Sequence, residues 1–212
     1  MKTPAIRQEF PATPRTPIYP SKGPYAYTPP RPDEAAVEQL AAMLEEAQNP
    51  VFVSGNGVYG ACCGTALLVL AQKIGAGVVT SYLGKGTVDE TAEVACGMLG
   101  TWGNPAANRM LQKADLIIMM GAGMSPDYTR FRDPKMVRPG EQKLVQVDID
   151  PRSAGWVYPV DLAITGDVAD VIAMLEKRGI NAGKAQVRLR VIKEIKDAAG
   201  YDAPSGHTPP PG

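Results

Sequence analysis

A chain of 212 residues is long enough for one well-buried domain with tails. Its 22 basic side chains equal its 22 acidic ones, so no long-range field favours nucleic acid or an anionic membrane as a partner. The sequence shows no charged-then-apolar leader and no long apolar run, so we expect neither secretion nor membrane insertion and predict a cytoplasmic protein.

Proline-rich ends bracket the expected domain. Residues 1–32 hold nine prolines, a composition that opposes helix and favours extended, polyproline-like chain. We therefore interpret 1–32 as a proline-rich linker or tail, 33–182 as the folded domain, and 183–212 as a C-terminal helix followed by a proline-rich linker. The charge pattern of 184–199 suits either a terminal helix or a solvated connector.

Helix-like and strand-like segments alternate between those ends. The first helix should begin at the N-cap Asp33, and a later one should begin at Asp167 and stop at Gly179. Asn104 and Pro105 are typical of an N-cap and the first turn of another helix. A further helix should follow the first glycine-rich loop. The predicted strands are Val51–Ser54, Val78–Ser81, Leu116–Met120, Leu144–Asp148 and Leu162–Thr165.

The order of these elements predicts the fold class. Near-continuous apolar strands that alternate with helices indicate a parallel sheet covered on both faces and joined by right-handed crossovers. The predicted fold is therefore α/β, a Rossmann-like three-layer sandwich. Ligands of such sheets bind at the carboxyl ends of the strands, so the loops that follow the strands are the candidate functional segments.

Four of these loops are rich in glycine. Gly55–Gly60 matches GxGxxG between a strand and a helix, an arrangement that lets a phosphate approach the backbone. The loops Leu83–Gly86 and Gly121–Ser125 offer backbone amides in a similar way, and Gly97–Asn108 adds an indole that can stack. For each loop, a purely structural turn is the alternative.

Two enzyme classes that use this kind of fold lack their characteristic residues here. The second predicted strand ends in Thr80 and Ser81, without the carboxylate that holds a ribose in NAD-dependent dehydrogenases. The single histidine, His207, lies in the proline-rich tail, and the three cysteines include no CxxC pair, which disfavours a sirtuin-like enzyme. We predict no catalytic residue and no metal ligand in this chain.

A family resemblance is carried by six fragments in order: PVFVSGNGV, SYLGKG, GMLGTWGNPAAN, ADLIIMMGAGMS, VQVDIDP and DLAITGD. Residues 33–178 resemble the central domain of thiamine diphosphate-dependent enzymes of the acetolactate synthase and pyruvate oxidase type. The resemblance implies a six-stranded parallel sheet of the DHS-like NAD/FAD-binding type. It also implies a parent carboligase or decarboxylase that acts on a 2-oxo acid and works as a homo-oligomer.

The resemblance also implies a nucleotide site, for FAD or ADP where one is bound. The residues implied to contact the nucleotide are Gly55, Asn56, Gly57, Val58, Leu83, Gly84, Gly100, Thr101, Trp102, Gly103, Asn108, Gly121, Ala122, Gly123, Asp148 and Ile149. In this family the nucleotide is mostly structural, so the implied role of the domain is that of a scaffold.

Thiamine diphosphate itself needs residues that the sequence does not show. The family's Gly-Asp-Gly motif does not occur, and no part of its glutamate-bearing N-terminal domain is recognisable. We therefore expect a domain that is not catalytic alone, and whose partners are flanking domains or subunits that bind thiamine diphosphate and magnesium. The alternative is a stand-alone nucleotide-binding module with a regulatory or assembly role.

Overall fold

The structure of the protein, a computed structural model, describes residues 28–201. The predictions made for residues 1–27 and 202–212, including His207, lie outside the described residues. The strands are β1 (Pro50–Ser54), β2 (Gly77–Thr80), β3 (Ala95–Met98), β4 (Leu116–Met120), β5 (Lys143–Asp148) and β6 (Leu162–Thr165). They form one parallel sheet in the order β3-β2-β1-β4-β5-β6, with helices on both faces. The predicted Rossmann-like α/β fold is confirmed.

The helices are α1 (Glu34–Glu46), α2 (Asn56–Gly60), α3 (Gly64–Ile74), α4 (Pro105–Lys113), α5 (Val168–Arg178) and α6 (Ala185–Ala199). The predicted N-caps Asp33, Asn104 and Asp167 each accept a hydrogen bond from the backbone N–H two residues on, which confirms three helix starts. The single helix expected after the first glycine-rich loop is divided into α2 and α3, because Cys62 adopts a left-handed φ of 51°. Within the described part of the chain, no helix is long and apolar enough to cross a membrane.

The core lies on both faces of the central strands. Every residue of β1 and β4 is buried, as expected for strands covered by helices on two sides. The edge strand β3 was not predicted, because its four residues include Gly97 at a φ of 83° and its pairing with β2 shifts register. This strand places the start of the GMLGTWGNPAAN segment inside the sheet and the rest in the loop that follows.

The last helix, α6, packs against α3 and α4. Its Arg188 is only 2% exposed and donates hydrogen bonds to the carbonyl oxygens of Leu44 (2.8 Å) and Ala47 (2.6 Å) at the end of α1. A third hydrogen bond, of 2.9 Å, goes to the carbonyl oxygen of Ile74 at the end of α3. Burial lowers the pKa of this guanidinium, partly offset by the Asp115 carboxylate. One side chain thus satisfies the terminal carbonyls of two helices and holds α6 on the domain.

Candidate functional site

The carboxyl ends of the central strands lie side by side. Ser54 of β1 is in register with Thr80 of β2 on one side and Met120 of β4 on the other. The chain passes from β1 to β2 in one direction along the sheet and later returns to β4 on the opposite side, so β1 and β4 flank a topological switch point. We call the surface formed by the loops after the strands the carboxyl edge (residues 55–57, 81–86, 99–104, 121–128, 148–157 and 166–167). Ligands of doubly wound sheets bind at this place.

The loops after β1 and β4 touch through two glycines. Gly121 has a left-handed φ of 57°, and a Cβ built on it would lie 2.5 Å from the Cα of Gly57. A Cβ on Gly57 would in turn lie 2.7 Å from the Cα of Gly121. The Gly57 N–H donates to the Gly121 carbonyl oxygen at 3.1 Å. Neither position can therefore take a side chain unless the two loops move apart.

Two adjoining cavities on the carboxyl edge are lined by aromatic rings. Their volumes are about 370 Å³ and about 300 Å³, and Tyr128 lines both. The ring of Tyr128 stacks on that of Tyr82 with 6.0 Å between centroids, while Trp102 and Trp156 are 81% and 78% exposed. We call the two cavities together the aromatic groove, defined by Tyr82, Trp102, Asp127, Tyr128 and Trp156. Burial, together with the Asp127 carboxylate, raises the pKa of Tyr128, so its hydroxyl is neutral at physiological pH.

A third cavity, of about 450 Å³, lies beside the contact between Gly57 and Gly121. We call it the switch-point cavity; Asp148, Gly166 and Asp167 also line it. The Asp167 carboxylate accepts the N-cap hydrogen bond of α5, at 2.8 Å from the Ala169 nitrogen. One oxygen of Asp148 accepts from the Asp150 N–H at 2.9 Å. The cavity therefore presents carboxylate groups that are held in place by the backbone.

Many of the predicted site residues line these cavities. Those at the aromatic groove are Leu83, Gly100, Thr101, Trp102 and Gly123, and those at the switch-point cavity are Asn56, Gly57, Gly121, Asp148 and Ile149. The other predicted residues, which line none of the three cavities, are Gly55, Val58, Gly84, Gly103, Asn108 and Ala122. Among these, Asn108 does not line a cavity but holds a loop that does. Its buried side-chain amide bonds both to the N–H (2.8 Å) and to the carbonyl oxygen (2.9 Å) of Gly100, which fixes the loop that carries Trp102.

Sequence reasoning missed several residues that line the cavities. Asp127 and Tyr128 lie just beyond the glycine-rich loop Gly121–Ser125, and Trp156 lies in the connection after β5; nothing in their local pattern indicates that they meet. Tyr82 was more accessible to sequence reasoning, because it follows a predicted strand directly. An exposed ring just after a parallel strand is a signal of the carboxyl edge that could have been used.

The hydrogen bonding of the first glycine-rich loop decides which part of a nucleotide it suits. The N–H groups of Gly55, Gly57 and Val58 already donate to protein carbonyl oxygens at 3.0 to 3.1 Å. Among the described residues that line the three cavities, none is Lys or Arg. A diphosphate would thus find no cation among these lining residues, and three of the amides of this loop are already engaged. The residues present fit rings and hydroxyl groups better than phosphates.

Comparison with known proteins identifies the family. A family model for the thiamine pyrophosphate enzyme central domain matches residues 37–175. An acetolactate synthase large subunit from Parasynechococcus marenigrum is 32% identical over 70% of this chain and 24% of its own length. A sulfoacetaldehyde acetyltransferase from Castellaniella defragrans is 30% identical over 77% of this chain and 28% of its own length. An acetolactate synthase large subunit from Corynebacterium glutamicum is 33% identical over 68% of this chain and 22% of its own length.

The matched region lies within much larger relatives. The chain spans about a quarter of the length of these curated relatives. The family match includes all six strands of the sheet and the loops of the carboxyl edge. The family predicted from the six sequence fragments is confirmed, and the protein belongs to the central-domain family of the thiamine pyrophosphate enzymes.

Proposed function

We propose that this chain is the central scaffold of a thiamine diphosphate-dependent carboligase or decarboxylase that acts on a 2-oxo acid. The observation that carries the proposal is the family match over residues 37–175, which includes the whole sheet and its carboxyl edge. Relatives named as acetolactate synthase and sulfoacetaldehyde acetyltransferase support this reaction class. The chain contributes a rigid sheet and a shaped edge against which catalytic domains can be positioned.

The proposal assigns thiamine diphosphate and magnesium to flanking domains or partner subunits. Within residues 28–201, no group of three or more His, Cys, Asp or Glu side chains comes together as a metal site. When bound by those partners, the cofactor supplies the carbon nucleophile for attack on a 2-oxo acid. The described residues would orient the partners through the loops of the carboxyl edge.

The first test is reconstitution. With thiamine diphosphate and Mg²⁺, the chain alone is expected to release no CO₂ from pyruvate. Mixed with polypeptides that carry the thiamine diphosphate-binding domains and are encoded beside it, it is expected to restore carboligase or decarboxylase activity. Release of ¹³CO₂ from labelled pyruvate measures both results.

The control for reconstitution is the same mixture without the chain. Full activity of the partner polypeptides alone would contradict the scaffold role and would favour the alternative, a stand-alone regulatory or assembly module. Turnover by the isolated chain would contradict the assignment of the cofactor to the partners.

We further propose that the switch-point cavity binds the adenosine part of ADP or FAD. Its volume of about 450 Å³ suits a nucleoside, and Asp148 has a second carboxylate oxygen that can accept from ribose hydroxyls. Ile149, 38% exposed beside it, offers an apolar surface for the base. Since the first glycine-rich loop has little to offer a diphosphate, we expect weak binding that is due mainly to the nucleoside.

Substitution of Asp148 by Asn is expected to weaken ADP binding about tenfold, because a charged acceptor is replaced by a neutral amide. The asparagine oxygen can still accept from the Asp150 N–H, so the fold should be kept. Calorimetric titration of ADP, FAD and NAD into both proteins measures the change.

Asp150→Asn is a matched control for this titration. Asp150 does not line the switch-point cavity, and its hydrogen bonds with Arg152 lower the pKa of its carboxyl group to about 2. Nucleotide affinity should be the same in this variant as in the unaltered protein. An equal loss in both variants, or no heat with any nucleotide, would remove the nucleotide proposal and leave the scaffold proposal standing.

A further inference from the structure

The proline-rich N-terminal segment has a regular spacing. Pro11, Pro14, Pro17 and Pro20 recur at every third residue of the sequence FPATPRTPIYPSK. A polyproline II helix has three residues per turn, so in that conformation the four rings would form one continuous ridge. We call residues 10–22 the proline arm; it lies outside the described residues.

The aromatic groove has the features of a surface that recognises such a ridge. Polyproline II segments dock in grooves lined by aromatic rings, because the rings pack against prolines and the docked helix loses little conformational entropy. The groove offers the stacked pair of Tyr82 and Tyr128 together with two exposed indoles. Its two cavities share Tyr128 as a lining residue, so the rings line two neighbouring spaces.

The charges of the two partners are complementary. The proline arm carries Arg15 and Lys22 and no acidic residue. Among the described residues that line the aromatic groove, the only charged one is Asp127, and its side chain is hydrogen-bonded by the Ser125 hydroxyl. An arginine between two ridge prolines is therefore matched by one carboxylate in the groove.

The chain enters the domain at the same edge of the sheet. A Cβ on Gly166, which follows β6, would lie 2.5 Å from the Cγ of Pro32, so Pro32 sits directly on the carboxyl edge. Pro32 follows Pro20 by twelve positions, and extended chain of that length reaches about 37 Å. Four strand spacings, about 19 Å, separate β6 from β2. The proline arm can therefore reach the groove of its own domain.

We propose that the proline arm docks as a polyproline II helix in the aromatic groove of the same chain, with Arg15 beside Asp127. Tethering gives the arm an effective concentration in the millimolar range, which favours its own groove over that of a second copy. The docked arm lies on the exposed rings of the groove.

The indole groups of the full chain provide the readout. Trp102 and Trp156 are the two tryptophans of the sequence and both belong to the aromatic groove, so a ¹⁵N-labelled sample gives two indole N–H resonances. In a variant with Pro11, Pro14, Pro17 and Pro20 all replaced by alanine, both resonances are expected to shift. A synthetic peptide of residues 10–22, added to that variant, is expected to shift them back.

Two controls separate the ridge and the charge from general effects. Replacing four C-terminal prolines (Pro204, Pro209, Pro210 and Pro211) by alanine changes the same number of residues and is expected to leave both resonances in place. A peptide with Arg15→Glu is expected to restore the shifts far less than the natural peptide. Identical indole resonances in the unaltered chain and the arm variant would overturn the proposal. Shifts that depend on protein concentration would overturn it too, because they would assign the groove to the arm of a second copy.

Discussion

Replacing Arg188 by methionine is expected to lower the free energy of unfolding by about 3 kcal/mol. The methionine keeps the apolar stem, but the carbonyl oxygens of Leu44, Ala47 and Ile74 lose their donors in a buried place. Each buried acceptor left without a partner costs roughly 1 to 3 kcal/mol, and the gain from no longer burying a charge offsets part of the sum. The melting temperature should fall by roughly 6 to 12 °C for a domain of this size.

Urea denaturation followed by far-ultraviolet circular dichroism measures this loss. Arg190→Met is the matched control, since Arg190 lies on the exposed face of the same helix; it should change stability by less than about 0.5 kcal/mol. The stability of Arg188→Lys should lie between those of Arg188→Met and Arg190→Met, because one ammonium group cannot make all the hydrogen bonds of the forked guanidinium. Equal stability of the Arg188 and Arg190 variants would show that the three carbonyl contacts contribute nothing.

Substitution of Gly121 by alanine is expected to cost about 3 kcal/mol and to open the switch-point cavity. The left-handed φ of 57° disfavours any residue with a Cβ by about 1 to 2 kcal/mol. The added methyl group would also lie 2.5 Å from the Cα of Gly57, so the loops after β1 and β4 must separate, which costs a similar amount again. Both terms act at the same point, where the two loops meet.

Gly123→Ala is the control for this prediction. Gly123 lies in the same loop, but no heavy atom of the described residues comes within 4 Å of a Cβ built on it. The stability of the Gly123→Ala variant should stay close to that of the unaltered protein, while the Gly121→Ala variant should unfold at a markedly lower urea concentration. If the two variants unfold together, the contact between the loops does not constrain this edge of the sheet.

The alternation of strands and helices was predictable because local signals and burial agree. Asp33, Asn104 and Asp167 are side-chain caps that act within two residues, and Leu116–Met120 is an apolar run bounded on both sides. The strand β3 was not predictable in the same way. Its pairing with β2 and the left-handed Gly97 are tertiary features that a four-residue segment does not show on its own.

The candidate site was predictable as a place rather than as a set of side chains. The rule that ligands bind at the carboxyl ends of parallel strands located the edge of the sheet. Asp127 and Trp156, however, come from irregular connections that meet only after the sheet is formed. The sequence also could not show that the amides of Gly55 and Gly57 are already donated to carbonyl oxygens, since those acceptors lie in or beside β4.

The position of Arg188 sets the order in which the protein can become stable during its synthesis. Its partners end α1 and α3, which leave the ribosome more than a hundred residues ahead of it. Until α6 has emerged, those carbonyl oxygens have no buried donor, so nascent chains that stop before residue 188 should be cleaved by protease far faster than the released protein. The domain therefore becomes stable only after its last described helix, α6, has been made.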